Sequence, residues 1–502
     1  MVLTRINFIF FTIILLPFWS SASDADTILN LKKNFGALGD GIHNDHQAFI
    51  DASYFLNERK GNATLRIPPG TYIVGRQLDY GVLVPLAYRA FADESMTNPY
   101  YKLGIPVFFI SGCRNITILG EPGVVIKFQD DLLLGSFEAS GKPIPLLDKN
   151  GDVIVPPTSA KAFIGDAIYI ENSKNIKIGF LELNGNSEHI KLGGNISADG
   201  WQAGQTGIAL NEVTHCTLED VNVHHFAVDG LQLRNSTAST VEKIEGQDIN
   251  LLHCSFDYNG RQGLSWTGGS GLRASDCSFS HTGRGYNASI KKALSTSPGA
   301  GLDIEPESDP NVNIYRMVRG GLFTRCNFEN NTGAGMVADL YDEKDYRIAQ
   351  NISFDDCTFW GTTYWSIWVT HPAFMFTNCR IYGSAVHSFA GEKPGMETRF
   401  ISCIFEDKPY SQKSRKAQPP YGNYLVEIAG GIRTTFDNCT FIAHKKAFHY
   451  LVCSQPSEEK SKFVVNNCKF LNASGTDKPK NSIAEGVLFK GKNEHIDVPA
   501  SK

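Results

Sequence analysis

The 502-residue chain has no Cys-x-x-Cys pair, so its eleven cysteines lack the paired spacing of a zinc site. It has no basic excess either. Lys and Arg total 47 against 52 Asp and Glu, and the formal net charge of −5 gives no electrostatic case for nucleic acid. Apolar runs are scarce: after Ile6 to Trp19, no segment is apolar enough to span a bilayer. That first run is shorter than the roughly 20 residues a span needs. Arg5 gives it a basic start, and Ser21-Ala22-Ser23 offers small residues at a cut before Asp24. Residues 1–23 are therefore read as a signal peptide, and the mature chain as a secreted or periplasmic protein without a membrane span.

What the sequence does have is a repeat. Eight cysteines sit in one short context: His253-Cys254-Ser255-Phe256, Asp276-Cys277-Ser278-Phe279, Arg325-Cys326-Asn327-Phe328 and Asp356-Cys357-Thr358-Phe359, then Asn378-Cys379, Ser402-Cys403-Ile404-Phe405, Asn438-Cys439-Thr440-Phe441 and Asn467-Cys468-Lys469-Phe470. A cysteine at one fixed place in a repeat is a small buried hydrophobe stacked on its neighbours rather than half of a disulfide. The intervals, 23, 49, 31, 22, 24, 36 and 29 residues, suit coils of one basic length with loops inserted at fixed corners. The polar residue before each cysteine suits a turn or an Asn ladder.

A second register runs between the cysteines. Gly207-Ile208-Ala209-Leu210-Asn211 lies over Gly230-Leu231-Gln232-Leu233-Arg234, Gly263-Leu264-Ser265-Trp266-Thr267 and Gly301-Leu302-Asp303-Ile304-Glu305. Gly335-Met336-Val337-Ala338-Asp339 and Ser366-Ile367-Trp368-Val369-Thr370 continue it. The second and fourth places are apolar and the third and fifth mostly polar, the period of a strand with one face inside. Antiparallel sandwiches show hairpin turns every 8–12 residues instead. The fold class expected is all-β, a right-handed parallel β-helix, a solenoid with a short N-terminal capping helix.

At its N-terminus the chain resembles the pectate-lyase-like module that opens many secreted and phage β-helix proteins. The resemblance is carried by Phe35-Gly36-Ala37-Leu38-Gly39-Asp40-Gly41, by Asp45 and Ala48, and by Ile67-Pro68-Pro69-Gly70-Thr71-Tyr72. It implies the pectin-lyase-like superfamily and covers about the first 75 residues; the module departs from the pattern at Asn44-Asp45-His46. Gly39 to Asp45 reads as a turn, and Asp45 to Arg59 as an amphipathic helix with Phe49, Ala52 and Leu56 on one face. The expected organisation is signal peptide 1–23, cap and first coil 24–75, and coils with inserted loops 76–502. The Asn-Thr-Asp and Gly-His-Gly stations of polygalacturonases are missing, as is the Trp-Ile-Asp-His station of classical pectate lyases, so no catalytic residue is carried over from either family.

The strand register supplies its own candidates. Asp303 and Glu305 share one outer face, and Glu305 aligns with Asp339 in the next coil, so three acids meet in two coils. Like charges this close favour sharing a proton. A carboxylic acid beside a carboxylate is what glycoside hydrolysis uses; the roughly 7 Å spacing of 303 and 305 suits inversion and the roughly 5 Å spacing of 305 and 339 suits retention, with inversion preferred. The candidate catalytic residues are Asp303, Glu305 and Asp339. Gln232, Arg234 and Trp368 lie on the same face, Arg261 enters it, His371 stands at its rim, and His281 and Arg284 belong to the inserted loop Ser280 to Gly299. These seven are the substrate-binding candidates, Arg261 pairing with a carboxylate or holding a substrate acid group. Trp201 is a further platform candidate, whereas Trp266 has inward parity.

Three function classes remain open. One is a hydrolase of polysaccharide or oligosaccharide that needs no cofactor. A second is a polysaccharide lyase or uronate epimerase with a basic catalytic residue, in which the acids hold Ca²⁺. A third is a glycan-binding β-helix without activity.

Overall fold

The computed structural model describes residues 26–79, 100–138, 140–145, 160–194, 201–202, 204–235, 247–306, 308–309, 314–315, 318–338, 351–361, 366–370, 373–382, 386–388, 397–407, 424–428, 434–444, 449–453, 463–473 and 487–497. The signal-peptide segment, Asp339 and His371 lie outside them.

Each coil turns on one residue. His253, Asp276, Arg325, Asp356, Asn378, Ser402, Asn438 and Asn467, each directly before a repeat cysteine, all have φ between 50° and 56°. A single left-handed residue swings the chain from one strand into the next, and short polar side chains tolerate it best. Arg325 is the bulky exception, and its guanidinium is held by both oxygens of Asp276 at 2.7 and 2.6 Å, one coil back. The three sides of one coil are Gly321–Thr324, Asn327–Asn331 and Met336–Ala338. Every side pairs in parallel with its counterpart in the next coil, as in Phe323 on Phe354 and Phe328 on Phe359.

The stacked coils bring like onto like. Phe256, Phe279, Phe328 and Phe359 form a column of near-parallel rings 4.9–5.2 Å apart. Phe323, Phe354, Phe376, Phe400 and Phe436 form a second, and Phe405, Phe441 and Phe470 a third. Such pairs add about 0.5–1.5 kcal/mol each beyond area burial. The ten described cysteines with resolved surroundings are buried and free, as the repeat implied. Successive ones touch, Cys254 N–H donating to Cys277 Sγ at 3.4 Å and Cys439 N–H to Cys468 Sγ at 3.3 Å.

At the N-terminal end the helix His46–Arg59 lays Phe49, Ala52 and Leu56 on the core, with Phe49 edge-on to Phe108 and Tyr72. The helix begins one residue later than expected, because the Asp45 carboxylate is used elsewhere: it accepts the N–H groups of Leu38 and Gly39 at 2.6 and 2.9 Å. Part of the expected turn, Asp40–Asn44, is a short irregular strand beside Gly70–Val74. Among the described residues, no helix is long and apolar enough to cross a membrane.

Burial raises the thiol of Cys216 to about 12 and suppresses the reactive thiolate. Alkylation of the native protein should leave the ten cysteines unmodified, and guanidinium should release them together, as read by peptide mass spectrometry. Labelling of Cys254 or Cys326 in the native state would contradict the stacked arrangement.

Candidate functional site

The face expected to carry chemistry is an 11-stranded parallel sheet running from Phe108–Ser111 to His449–Cys453, one strand per coil. Among the described residues its register follows the alignment of the repeats; the match of Glu305 with Asp339 lies outside them. Tyr169, Ala209, Gln232, Ser265, Asp303, Val337 and Trp368 stand in one column. Neighbours in such a column are about 4.8 Å apart.

The expected two-residue alternation breaks at a glycine near the start of several of these strands, as at Gly230, Gly263 and Gly301. A Cβ on Gly301 would lie 2.4 Å from Phe279 O and 2.6 Å from Asn331 Nδ2, both inside the coil; one on Gly263 would lie 2.6 Å from Gly301 O. The glycine therefore faces inward, and so does the leucine after it. The residue before it then turns outward. Ala300 and Ala334 accordingly leave the main core and form a small cluster with Val337, on which Trp368 packs. The same slip brings Asp229 and Gln262 out beside the Asp303 column; Asp166 holds the equivalent place in its own coil, before Ala167. Strict alternation would send Asp229 and Gln262 to the interior.

The slip assembles a buried polar group. Asp303 is 4% exposed and accepts a hydrogen bond from the Gln262 side-chain amide. The other end of that amide, Oε1, is buried with no hydrogen-bond partner among the described residues. Arg261, directly before Gln262, donates from Nε, at 2.8 Å, and from Nη2 to the two oxygens of Asp229. It was expected to pair with a carboxylate or a substrate acid; the carboxylate is Asp229, which the sequence reading did not single out. Burial works against the Arg261 charge, but Asp229 first, then Asp303 and Glu305, hold its pKa above the ordinary value. Glu305 follows the strand Ala300–Ile304 and is exposed, with its N–H bonded to Trp266 O at 3.1 Å.

Asp166, two coils before Asp229, is pushed up to about 7 by burial and by the charge of Asp229, against the pull of the Thr206 N–H at 2.7 Å.

Of the other candidates, Gln232 and Arg234 lie on this face in one strand two coils before Asp303, and Trp368 lies two coils beyond it. His281 and Arg284 belong instead to the corner that precedes the sheet. There His225, Tyr258 and His281 form a ring stack with centroids 5.2 and 4.6 Å apart. His281 faces Asp257 at 3.9 Å, and Arg284 Nε donates to Asn330 O at 3.1 Å. The reason is the path of the inserted loop. It runs back across the coils rather than over the sheet, pinned by Asn287 Nδ2 on Ser187 O and Ile190 O at 2.6 and 2.9 Å. Trp201 is also buried, its indole N–H on Gly193 O at 2.7 Å, so it presents no platform; Trp266 is fully inside, as its parity required. Among the described residues no three His, Cys, Asp or Glu side chains gather as a metal-binding group; the calcium arrangement expected from the sequence included Asp339, which lies outside them.

Residues 166–381 match the family model described as the right handed beta helix region. That stretch is a right-handed parallel β-helix. It contains Asp166, Asp229, Arg261, Gln262, Asp303 and Glu305. Several solved structures are similar over most of the chain. The mannuronan C-5 epimerase AlgE4 A-module of Azotobacter vinelandii shares 12% identity, with 94% of this chain and 100% of that one covered and a TM-score of 0.49. The tailspike protein gp49 of Acinetobacter baumannii bacteriophage Fri1, a capsular polysaccharide depolymerase, shares 11% over 95% of this chain and 64% of that one, at 0.43. The catalytic unit of the GH87 α-1,3-glucanase of Streptomyces thermodiastaticus shares 12% over 94% and 70%, at 0.41. No curated protein matches the chain by sequence.

Two outcomes follow from the charges. Removing Asp229 strands a buried guanidinium, so Asp229→Ala should cost about 3–5 kcal/mol, while Asp229→Leu combined with Arg261→Met should regain most of it in urea denaturation. Equal losses in both would refute the pairing. For Asp166 the folded pKa is raised, so its contribution to stability is fully present below the ordinary aspartate value and lost as pH rises through about 7. The melting temperature of Asp166→Asn should therefore gain on the parent between pH 5 and 8; an offset that stays constant with pH would contradict this.

Proposed function

We propose that the chain is a carbohydrate-active enzyme that hydrolyses glycosidic bonds in a polysaccharide or oligosaccharide, exported by its residues 1–23. The observation that carries this reading is the pair Asp303 and Glu305. One carboxylate is buried and fixed by the Gln262 amide in the field of Arg261; the other is exposed two residues further along the same face.

Two residues along a strand span about 6.6 Å. Inverting glycosidases hold their carboxyl groups about 6.5–9.5 Å apart, leaving room for a water between acid and base. In this reading Asp303, held by the Gln262 amide beside the Arg261 guanidinium, takes the proton of the attacking water. Glu305 protonates the departing glycosidic oxygen. Water adds across the bond, and the two carboxyl groups exchange protonation states before solvent resets them. Asp339 is proposed as a third carboxylate beside Glu305, from the repeat alignment alone. Gln232, Arg234, Trp368 and His371 are proposed to contact the glycan.

A lyase or epimerase needs a base close to a uronate and a cation to neutralise its carboxylate. Arg261 is held on Asp229 through Nε and Nη2, which leaves Nη1 for either role.

Incubation with a panel of glycans tests the reading. New reducing ends without ultraviolet absorbance from an unsaturated uronate are expected. Asp303→Asn and Glu305→Gln should each lower kcat by at least a hundredfold while the circular dichroism spectrum stays unchanged. Unsaturated products would mark a lyase, and binding without any cleavage would mark a glycan-binding solenoid.

A further inference from the structure

The column that carries Asp303 has an aromatic residue on each side of the acid pair. Tyr169 stands four coils before Asp303 and Trp368 two coils after it. At about 4.8 Å per step the two rings are about 29 Å apart along the solenoid axis. Both are half-buried and rest on apolar supports. Tyr169 leans on Phe109 with centroids 6.0 Å apart, and its hydroxyl meets the Asn211 amide at 3.4 Å. Trp368 packs on Val337, Ala300 and Ala334.

The floor between them differs on the two sides of Asp303. Towards Tyr169 it is polar: Gln232 and Ser265 lie in the column, with Asn211 and Arg234 beside them. Towards Trp368 it is the apolar shelf just described. Pyranose rings present hydroxyls at their edges and C–H groups on their faces. The polar side therefore suits edge contacts and the apolar side face contacts.

From this geometry we infer that the substrate is an extended glycan lying along the solenoid axis over about six sugar units, with Tyr169 and Trp368 as its two end platforms and the cut placed four units from one end and two from the other. A sugar in an extended chain advances by about one strand spacing, so each of the six steps between adjoining coils serves as one subsite, four before Asp303 and two after it. The inference rests on the hydrolase reading for the cut, and on the column alone for the length and the platforms.

The test uses the full chain and size-defined mannuronate, galacturonate and glucan oligomers of two to eight units. Binding to the Asp303→Asn variant is measured by calorimetry, apart from turnover. Affinity should rise with length to about six units and then level off. Trp368→Ala and Tyr169→Ala should each remove the gain from one end, roughly fivefold to tenfold on hexamers, with tetramers affected by one variant at most. Wild-type protein should cut a hexamer mainly to a tetramer and a dimer. Equal affinity for trimers and hexamers, no binding at any length, or trimers as the main product would overturn the inference. Full turnover by Asp303→Asn would defeat the hydrolase reading instead, leaving the length dependence of binding to stand or fall alone.

Discussion

Everything in this molecule depends on the parallel hydrogen-bond register between coils. A residue is fixed less by its sequence neighbours than by its counterparts one coil up and one coil down, about 4.8 Å away. The left-handed residue before each repeat cysteine keeps that register, because it makes every coil turn at the same place. Insertions do not disturb it. The interval from Cys277 to Cys326 is 49 residues, yet Ser265, Asp303 and Val337 remain exact counterparts in successive strands. The extra chain leaves at a corner and runs along the outside, so loop length affects what covers the solenoid and not what lies within it.

The register also explains how a repetitive scaffold makes a singular site. Columns of phenylalanine and cysteine repeat because the interior is the same in every coil. The outer columns are free to vary, and the inward-facing glycine adds one more of them. Without that slip, Asp229 and Gln262 would point into a core of Leu231, Leu264 and Phe256, where a lone carboxylate would be costly. With it, two outward columns run side by side, and residues from three coils, Asp229, Gln262 with Arg261, and Asp303, meet on one patch.

The sequence disclosed the fold and the Asp303 column because both are periodic. The cysteine context repeats eight times, and the strand motif repeats often enough to be laid in register by eye. What it concealed is what breaks the period. Asp229 and Gln262 occupy positions that strict alternation sends inward, so they were passed over. The signal was present all the same: a glycine at one fixed place, preceded by Asp229 in one coil and Gln262 in the next, is an odd choice for a core. The inserted loop failed for another reason. Its length and basic residues suggested a cleft wall, but loop direction is set by distant partners such as Ser187 and Ile190, about a hundred residues back, which no local pattern reveals.

The Asp229–Arg261 pair is better understood as an electrostatic fixture than as a source of stability. Removing two charges from water costs several kcal/mol per ion, and a well-packed apolar pair of similar volume commonly serves a fold as well or better. Such a pair would be inert towards Asp303. The guanidinium is different: with Asp229 balancing it, it sits buried at no net charge, yet its positive end still acts on Asp303 and Glu305. That bias falls unequally. Asp303 is buried and already bonded to Gln262, and few solvent dipoles screen it; Glu305 is exposed, and water screens it well. Desolvation opposes any buried charge, so for Asp303 to act as the base the Gln262 amide and the Arg261 guanidinium must together outweigh its burial.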